Sequence, residues 1–202
     1  TNQAGAYSVM VSNSIGSVIS GNAVLTVVIP TVTETFFTDH FDTNSAGLWT
    51  VNASVANTND TRVAFNYNYA AMGIPSAPNS TGGTTRGVKF EANIVNTNAA
   101  AISISPTGKS FTGDFDLKFD LWINANGPFP DGGTGSTEHG TAGVGTTGDR
   151  TQWAGTGSTA NGTWFAVSGE GGAGDTSTVA DFLAYTGTTQ ATTNSGIYTA
   201  GT

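Results

Sequence analysis

The sequence predicts an all-β protein, built mainly as an antiparallel β-sandwich. Its longest period-two run covers residues 114–124, where apolar and polar side chains alternate as in a strand with one dry and one wet face. Other short apolar runs are separated by Gly, Asn, Thr and Ser turns, and no long amphipathic helix interrupts them. The apolar side chains of the 114–124 run are Phe115, Leu117, Phe119, Leu121 and Ile123.

Composition narrows the class of protein. Charged residues make up 10% of the chain, against roughly 25% in ordinary globular domains, and glycine is frequent at 28 residues. This composition is typical of a turn-rich extracellular β-protein. The net charge of −8 repels phosphate backbones and argues against nucleic-acid binding. The absence of cysteine excludes disulfides and thiolate-ligated metals, and no apolar run reaches the ~18 residues that span a membrane.

The first 29 residues predict a β-hairpin. Residues 6–11 alternate as one strand, residues 12–17 form an Asn/Ser/Gly turn, and residues 18–29 return as the second strand. An isolated hairpin is marginal in water. We therefore expect this one to belong to a domain whose other strands are missing from the chain, to pack on the following domain, or to complete the sheet of another copy.

The sequence A-G-A-Y-S-V at residues 4–9 resembles strand F of I-set immunoglobulin-like domains, in which a tyrosine lies two residues before a cysteine. The resemblance implies that Tyr7 is the tyrosine corner and that Val9 takes the place of the cysteine. The following turn and the L-T-V-V ending resemble the F–G hairpin and strand G of bacterial surface domains. Residues 1–29 are then the F and G strands of an immunoglobulin-like domain.

A polar stretch that contains Pro30, residues 30–35, predicts a linker before a second domain over residues 36–202. A single helical turn is predicted at residues 45–49. The predicted strands of this domain cover residues 36–41, 49–55, 61–69, 87–94, 100–105, 114–124, 139–145, 163–169 and 181–185.

Four segments of this second domain, residues 37–51, 87–93, 115–124 and 163–172, resemble the strands of concanavalin-A-like (laminin-G-like) jelly rolls of secreted bacterial proteins. The resemblance implies a jelly roll and an extracellular or cell-surface location. The W-x-I-D-G type hairpin near the end of such domains has no counterpart here, so we expect the last strands to be missing. The matching motifs are strand patterns and indicate the fold more strongly than an activity.

The wet face of the 114–124 strand carries Asp120 and Trp122. In the strand predicted at 163–169, Trp164 shares its parity with Glu170, which follows directly. If both strands belong to one sheet, the two rings line a common concave surface, to which Trp153 would add a third ring. Aromatic rings beside carboxylates suit sugars, whose C–H faces stack and whose hydroxyls need acceptors. The alternative is that loops or missing strands cover these tryptophans.

Metal and catalytic sites are predicted less strongly. Two histidines do not make a multi-histidine zinc or copper site. Calcium is the more realistic ion, because turn carboxylates supply its oxygen ligands. Asp120 with Glu170 is a conceivable carboxylate pair for glycoside hydrolysis, but the alternative is that they are ordinary solvated acids. The candidate calcium ligands are Asp39, Asp42, Asp131 and Glu138.

Together these observations predict a non-catalytic extracellular module for glycan binding or adhesion, without a required cofactor. The first alternative is a structural subunit of an extracellular filament or layer, assembled by strand sharing between copies. A glycoside hydrolase is the third candidate. The predicted partners are a polysaccharide or cell-surface glycan and further copies of the chain, with neither nucleic acid nor a membrane span.

Overall fold

A computed structural model describes residues 3–27, 33–54, 59–95, 99–123, 134–153, 157–172 and 182–191. These residues form an all-β protein with antiparallel strand pairs, which confirms the predicted class. The chain divides into two compact units, Thr1–Thr38 and Asp39–Thr202. The helical segments in the described ranges are 3-10 turns of three or four residues, and none is long or apolar enough to cross a membrane.

The first unit is the predicted β-hairpin, divided into two short ladders. Strand β1 pairs with β4 and β2 pairs with β3. Between the ladders the hydroxyl of Ser20 accepts a hydrogen bond from the Val9 amide at 2.9 Å, which interrupts the regular pairing. The side chain of Asn13 closes the turn by accepting bonds from two backbone amides. The strands are β1 (Gly5–Tyr7), β2 (Met10–Ser12), β3 (Ser17–Ile19) and β4 (Ala23–Leu25).

The second unit contains two antiparallel strand pairs and one larger sheet. Strand β5 pairs with β8, β6 pairs with β7, and a four-stranded antiparallel sheet has the order β12-β11-β10-β9. The predicted helical turn is present as a 3-10 turn at Ala46–Leu48. The strands are β5 (Trp49–Ala53), β6 (Thr61–Asn68), β7 (Arg86–Ala92), β8 (Ile102–Pro106), β9 (Thr134–Val144), β10 (Thr163–Gly172), β11 (Phe182–Thr186) and β12 (Thr189–Gln190).

The buried core lies on one face of the four-stranded sheet. Trp164 of β10 is 0% exposed and stacks on Tyr185 of β11, with ring centroids 4.1 Å apart and ring planes at 7°. Its indole N–H donates to the Gly187 carbonyl at 2.8 Å, so its polar atom is satisfied within the core. Gly143 of β9 lies beside it, where an added Cβ would come within 2.5 Å of the Trp164 Cβ. Ala160 and Ala166 complete this core.

Two predicted strands are absent, and both predictions are corrected. Residues 36–41 are irregular, and so are the described residues 114–123 of the 114–124 run. The apolar row from Phe115 to Leu121 is 39–56% exposed, so it does not form the predicted dry face. A period-two pattern identifies a segment that suits a strand, but a strand also requires a neighbour to pair with. No described strand pairs with this segment.

Candidate functional site

An open groove of about 370 Å³ lies between the end of β5 and the loop that follows β9. Its volume is within the range of small-ligand sites. Six of the ten lining residues have polar side chains, and the aromatic member is Trp153. The lining residues are Val51, Asn52, Ala53, Ser54, Asp149, Arg150, Thr151, Trp153, Gly157 and Thr159.

The polar face of the β5–β8 pair holds the loop in place. Register pairs Asn52 with Ser103, so their side chains share a face, while Val51 and Ile104 lie on the other. The Asn52 amide donates to the Gly148 carbonyl at 3.0 Å, and the Ser103 hydroxyl donates to the Arg150 carbonyl at 3.4 Å. Two polar side chains of the β5–β8 pair therefore anchor the loop that forms the opposite wall of the groove.

The same loop is also held by hydrogen bonds to β9 and by hydrogen bonds between its own residues. The Thr141 hydroxyl of β9 donates to the Gln152 carbonyl at 3.0 Å. The Gln152 side-chain oxygen accepts a bond from the Asn161 amide at 3.2 Å. Ser158 donates to the Trp153 carbonyl at 2.7 Å. The backbone around Trp153 is thus held on both sides, and its ring is half-buried at the groove.

Asp149 and Arg150 form a two-bond ion pair in the groove wall. Arg150 Nε lies 2.8 Å from Asp149 Oδ1, and Arg150 Nη2 lies 3.1 Å from Asp149 Oδ2. The Thr147 hydroxyl also donates to Oδ1. The hydrogen bonds from Arg150 and then Thr147 hold the pKa of Asp149 well below its usual range, and Asp149 in turn raises the pKa of Arg150.

The groove therefore combines one half-buried indole with amide, hydroxyl and paired charged groups. An indole face packs against apolar C–H surface, whereas the polar groups provide both hydrogen-bond donors and acceptors. Such a lining suits a ligand with an apolar face and many hydroxyl groups. A nucleic acid is disfavoured, because the lining has no uncompensated positive charge among its described residues and the chain carries a net charge of −8.

The prediction that Trp164 binds sugar is wrong, because its ring is enclosed in the core and its N–H is already bonded. Trp164 and Trp122 do not line a common sheet face either, since residue 122 is outside any strand. Trp164 lies on the covered side of β10. The open side instead carries Phe165, which is 57% exposed.

Three other predicted residues are separate from the groove lining. Trp122 is 59% exposed, and its ring remains accessible. Asp120 accepts bonds from the Asn79 amide at 2.9 Å and from the Asn79 side chain at 2.7 Å, which gives it a structural role. Glu170 pairs with Thr137 through the backbone, and its side chain is outside the described parts of the structure.

The candidate calcium ligands do not come together in the described residues, where no three His, Asp or Glu side chains are grouped to hold a metal ion. Asp39 accepts bonds from the Trp49 indole at 2.7 Å and the Phe41 amide at 2.8 Å. Partial burial raises the pKa of Asp39, but hydrogen bonds from Ser45, Trp49 and Phe41 together outweigh burial and leave that pKa lowered. Glu138 lies in β9, and Asp131 is outside the described residues. Asp42 is not grouped with two further acidic or histidine side chains in the described parts of the chain. Calcium binding stays a prediction.

Comparison with protein-family models, curated proteins and solved structures finds no match to this chain. The groove is therefore the feature of the chain from which a function can be proposed. Of its residues, Trp153 was predicted from the sequence, whereas Asn52, Asp149 and Arg150 were not. One signal was available, because Arg150 is among only six basic residues in the chain and directly follows an acid.

Proposed function

We propose that this chain is a non-catalytic, extracellular or cell-surface module that binds glycans in the groove lined by Trp153, Asn52 and the Asp149–Arg150 pair. The observation that carries the proposal is the half-buried indole of Trp153 among polar groups in a groove of about 370 Å³. A pyranose ring has an apolar C–H face for the indole and hydroxyls for the polar lining.

Binding is favoured over hydrolysis because the described lining of the groove contains one carboxylate. Glycoside hydrolases of the common type use two carboxyl groups on either side of the scissile bond. The described lining supplies Asp149, which is already bonded to Arg150 and Thr147. Asp120, one member of the predicted catalytic pair, is held by Asn79.

The extracellular location is supported by composition and by the resemblance of the strands to secreted β-domains. In the first unit, the Tyr7 hydroxyl donates to the Gln3 carbonyl at 2.6 Å. A hydroxyl bonded to backbone a few residues upstream is characteristic of a tyrosine corner. This bond supports the proposal that the hairpin belongs to an immunoglobulin-like domain. The proposal that the second unit is of the jelly-roll type is supported by the resemblance of its strands.

Binding to an array of immobilised polysaccharides tests the proposal. We expect the wild-type chain to bind at least one neutral polysaccharide, and Trp153→Ala to weaken that binding about five- to thirty-fold, since a stacked ring contributes on the order of 1–2 kcal/mol. Trp122→Ala is the matched control, because it removes an exposed indole outside the groove lining. An unchanged affinity in Trp153→Ala, or no binding to any polysaccharide, would contradict the proposal.

A second candidate function is assembly into a filament or layer. The hairpin leaves its apolar side chains exposed, among them Val11 at 69% and Val18 at 75%. These two residues face each other across the β2–β3 ladder. An exposed apolar surface suits a contact between copies, and the outer edges of the two-stranded β2–β3 ladder are where strand sharing would take place.

Sedimentation at increasing concentration distinguishes the two functions. Assembly through the hairpin predicts oligomers that Val11→Asp with Val18→Lys dissociates. A monomer at every concentration argues against assembly and leaves the glycan-binding proposal intact.

A further inference from the structure

The charge state of the groove is set by one pair of residues. Of the ten residues that line the groove, Asp149 and Arg150 carry the charges. The guanidinium meets both carboxylate oxygens of Asp149, at 2.8 and 3.1 Å. This two-bond arrangement is the geometry that an arginine would otherwise offer to a carboxylate of a ligand.

Pairing leaves Arg150 able to recognise hydroxyls but not to attract anions. A guanidinium has five N–H groups, of which two bind Asp149 and a third reaches the Thr159 carbonyl at 3.5 Å. The remaining N–H groups suit a neutral oxygen acceptor. A sugar carboxylate that approached the remaining N–H groups would meet a guanidinium whose charge Asp149 already neutralises, together with the repulsion of the Asp149 carboxylate and of a chain with net charge −8.

We propose that Asp149 is a specificity-determining residue that makes the groove select neutral sugars over uronic acids by occupying the Arg150 guanidinium. The inference rests on the proposed glycan-binding function. It places selectivity in a residue next to the ligand rather than in the stacking ring, since an indole stacks on neutral and acidic pyranoses alike.

The pair also persists in acid. Hydrogen bonds from Arg150 and Thr147 keep the pKa of Asp149 well below its usual range. The carboxylate is therefore charged throughout the pH range in which uronic acids are ionised, and the selectivity should be the same at pH 5 and pH 8.

The test uses a matched pair of ligands. A neutral hexose polysaccharide that the wild-type chain binds is compared with the same polymer after oxidation of its C6 hydroxymethyl groups to carboxylates. We expect the wild-type chain to bind the neutral form at least about ten-fold more tightly. Asp149→Asn releases Arg150 and should shift the affinity ratio about ten-fold or more toward the oxidised form. Arg150→Gln leaves the negative charge of Asp149 without its ion-pair partner and should shift the affinity ratio further toward the neutral form.

Asp116→Asn is the control. It changes the net charge by the same amount and also breaks an ion pair, because Asp116 lies 3.3 Å from Lys118, but neither residue lines the groove. We expect no change in the ratio. Two results would overturn the inference while leaving glycan binding established. The first is a wild-type preference for the oxidised polymer. The second is an affinity ratio of neutral to oxidised polymer that stays the same in folded Asp149→Asn and Arg150→Gln. Failure of the wild-type chain to bind any polysaccharide overturns the proposed function instead.

Discussion

Replacing Trp164 by alanine should be among the most destabilising single substitutions in the second unit. Its ring is 0% exposed, and a tryptophan buries on the order of 200 Å². At about 25 cal/mol per Å² this area contributes roughly 5 kcal/mol as an upper estimate. Measured costs of such truncations are about 3–5 kcal/mol, a large part of the ~5–15 kcal/mol by which domains are stable.

Phe165→Ala is the matched control, because Phe165 is the next residue of the same strand and points to the opposite face, 57% exposed. On the same area scale its truncation should cost about 1–2 kcal/mol. Urea unfolding of both variants, followed by fluorescence, measures the difference. If Trp164→Ala fails to fold, Trp164→Phe should still lose about 1–2 kcal/mol, because the Gly187 carbonyl loses its donor. A cost for Trp164→Ala no greater than that for Phe165→Ala would refute this view of the core.

Two further predictions concern stability. Gly143→Ala should cost about 1–3 kcal/mol by overpacking, since its Cβ would lie 2.5 Å from the Trp164 Cβ, whereas Gly47→Ala, with no atom within 4 Å, should be nearly neutral in the same thermal melts. Asp39 has a lowered pKa in the folded chain, so its carboxylate stabilises the fold. This contribution to the free energy of unfolding is complete above about pH 4 and is lost as the pH falls through the folded-state pKa. Asp39→Asn should therefore reduce the acid-side slope of the unfolding free energy against pH, and an unchanged slope would exclude the Asp39 carboxylate as a source of that slope.

The sequence predicted strands where short apolar runs are bounded by turn residues, whether the pairing partner is near or far in the chain, and it failed where a run has no described partner. It predicted β5, β6 and β10 because Trp49, Thr61 and Thr163 each begin a short apolar run bounded by turn residues. Alternation does not reveal which face of a strand will be covered. On β10, the covered face is the one that packs with Ala160, which belongs to a loop. Alternation within the strand does not show this packing, so the prediction treated the covered face as the open one.

The groove was harder to predict, because its walls come from distant parts of the chain. Asn52 and Gly148 are 96 positions apart, and neither strand pattern nor composition brings them together. The Asp149–Arg150 pair is local, yet its position opposite β5 depends on that long-range bond. Trp153 was identified by residue type alone, as an aromatic ring in a turn-rich segment.

The four tryptophans offer the most direct test of the groove as a glycan site, since each contributes one indole N–H resonance in a proton–nitrogen NMR spectrum. Single Trp→Phe variants assign the four signals, and a soluble oligosaccharide of the bound polysaccharide is then titrated into the wild-type chain. The proposed site predicts a saturable shift of the Trp153 signal while the Trp164 and Trp122 signals stay in place. A shift of the Trp122 signal with an unmoved Trp153 signal would contradict it.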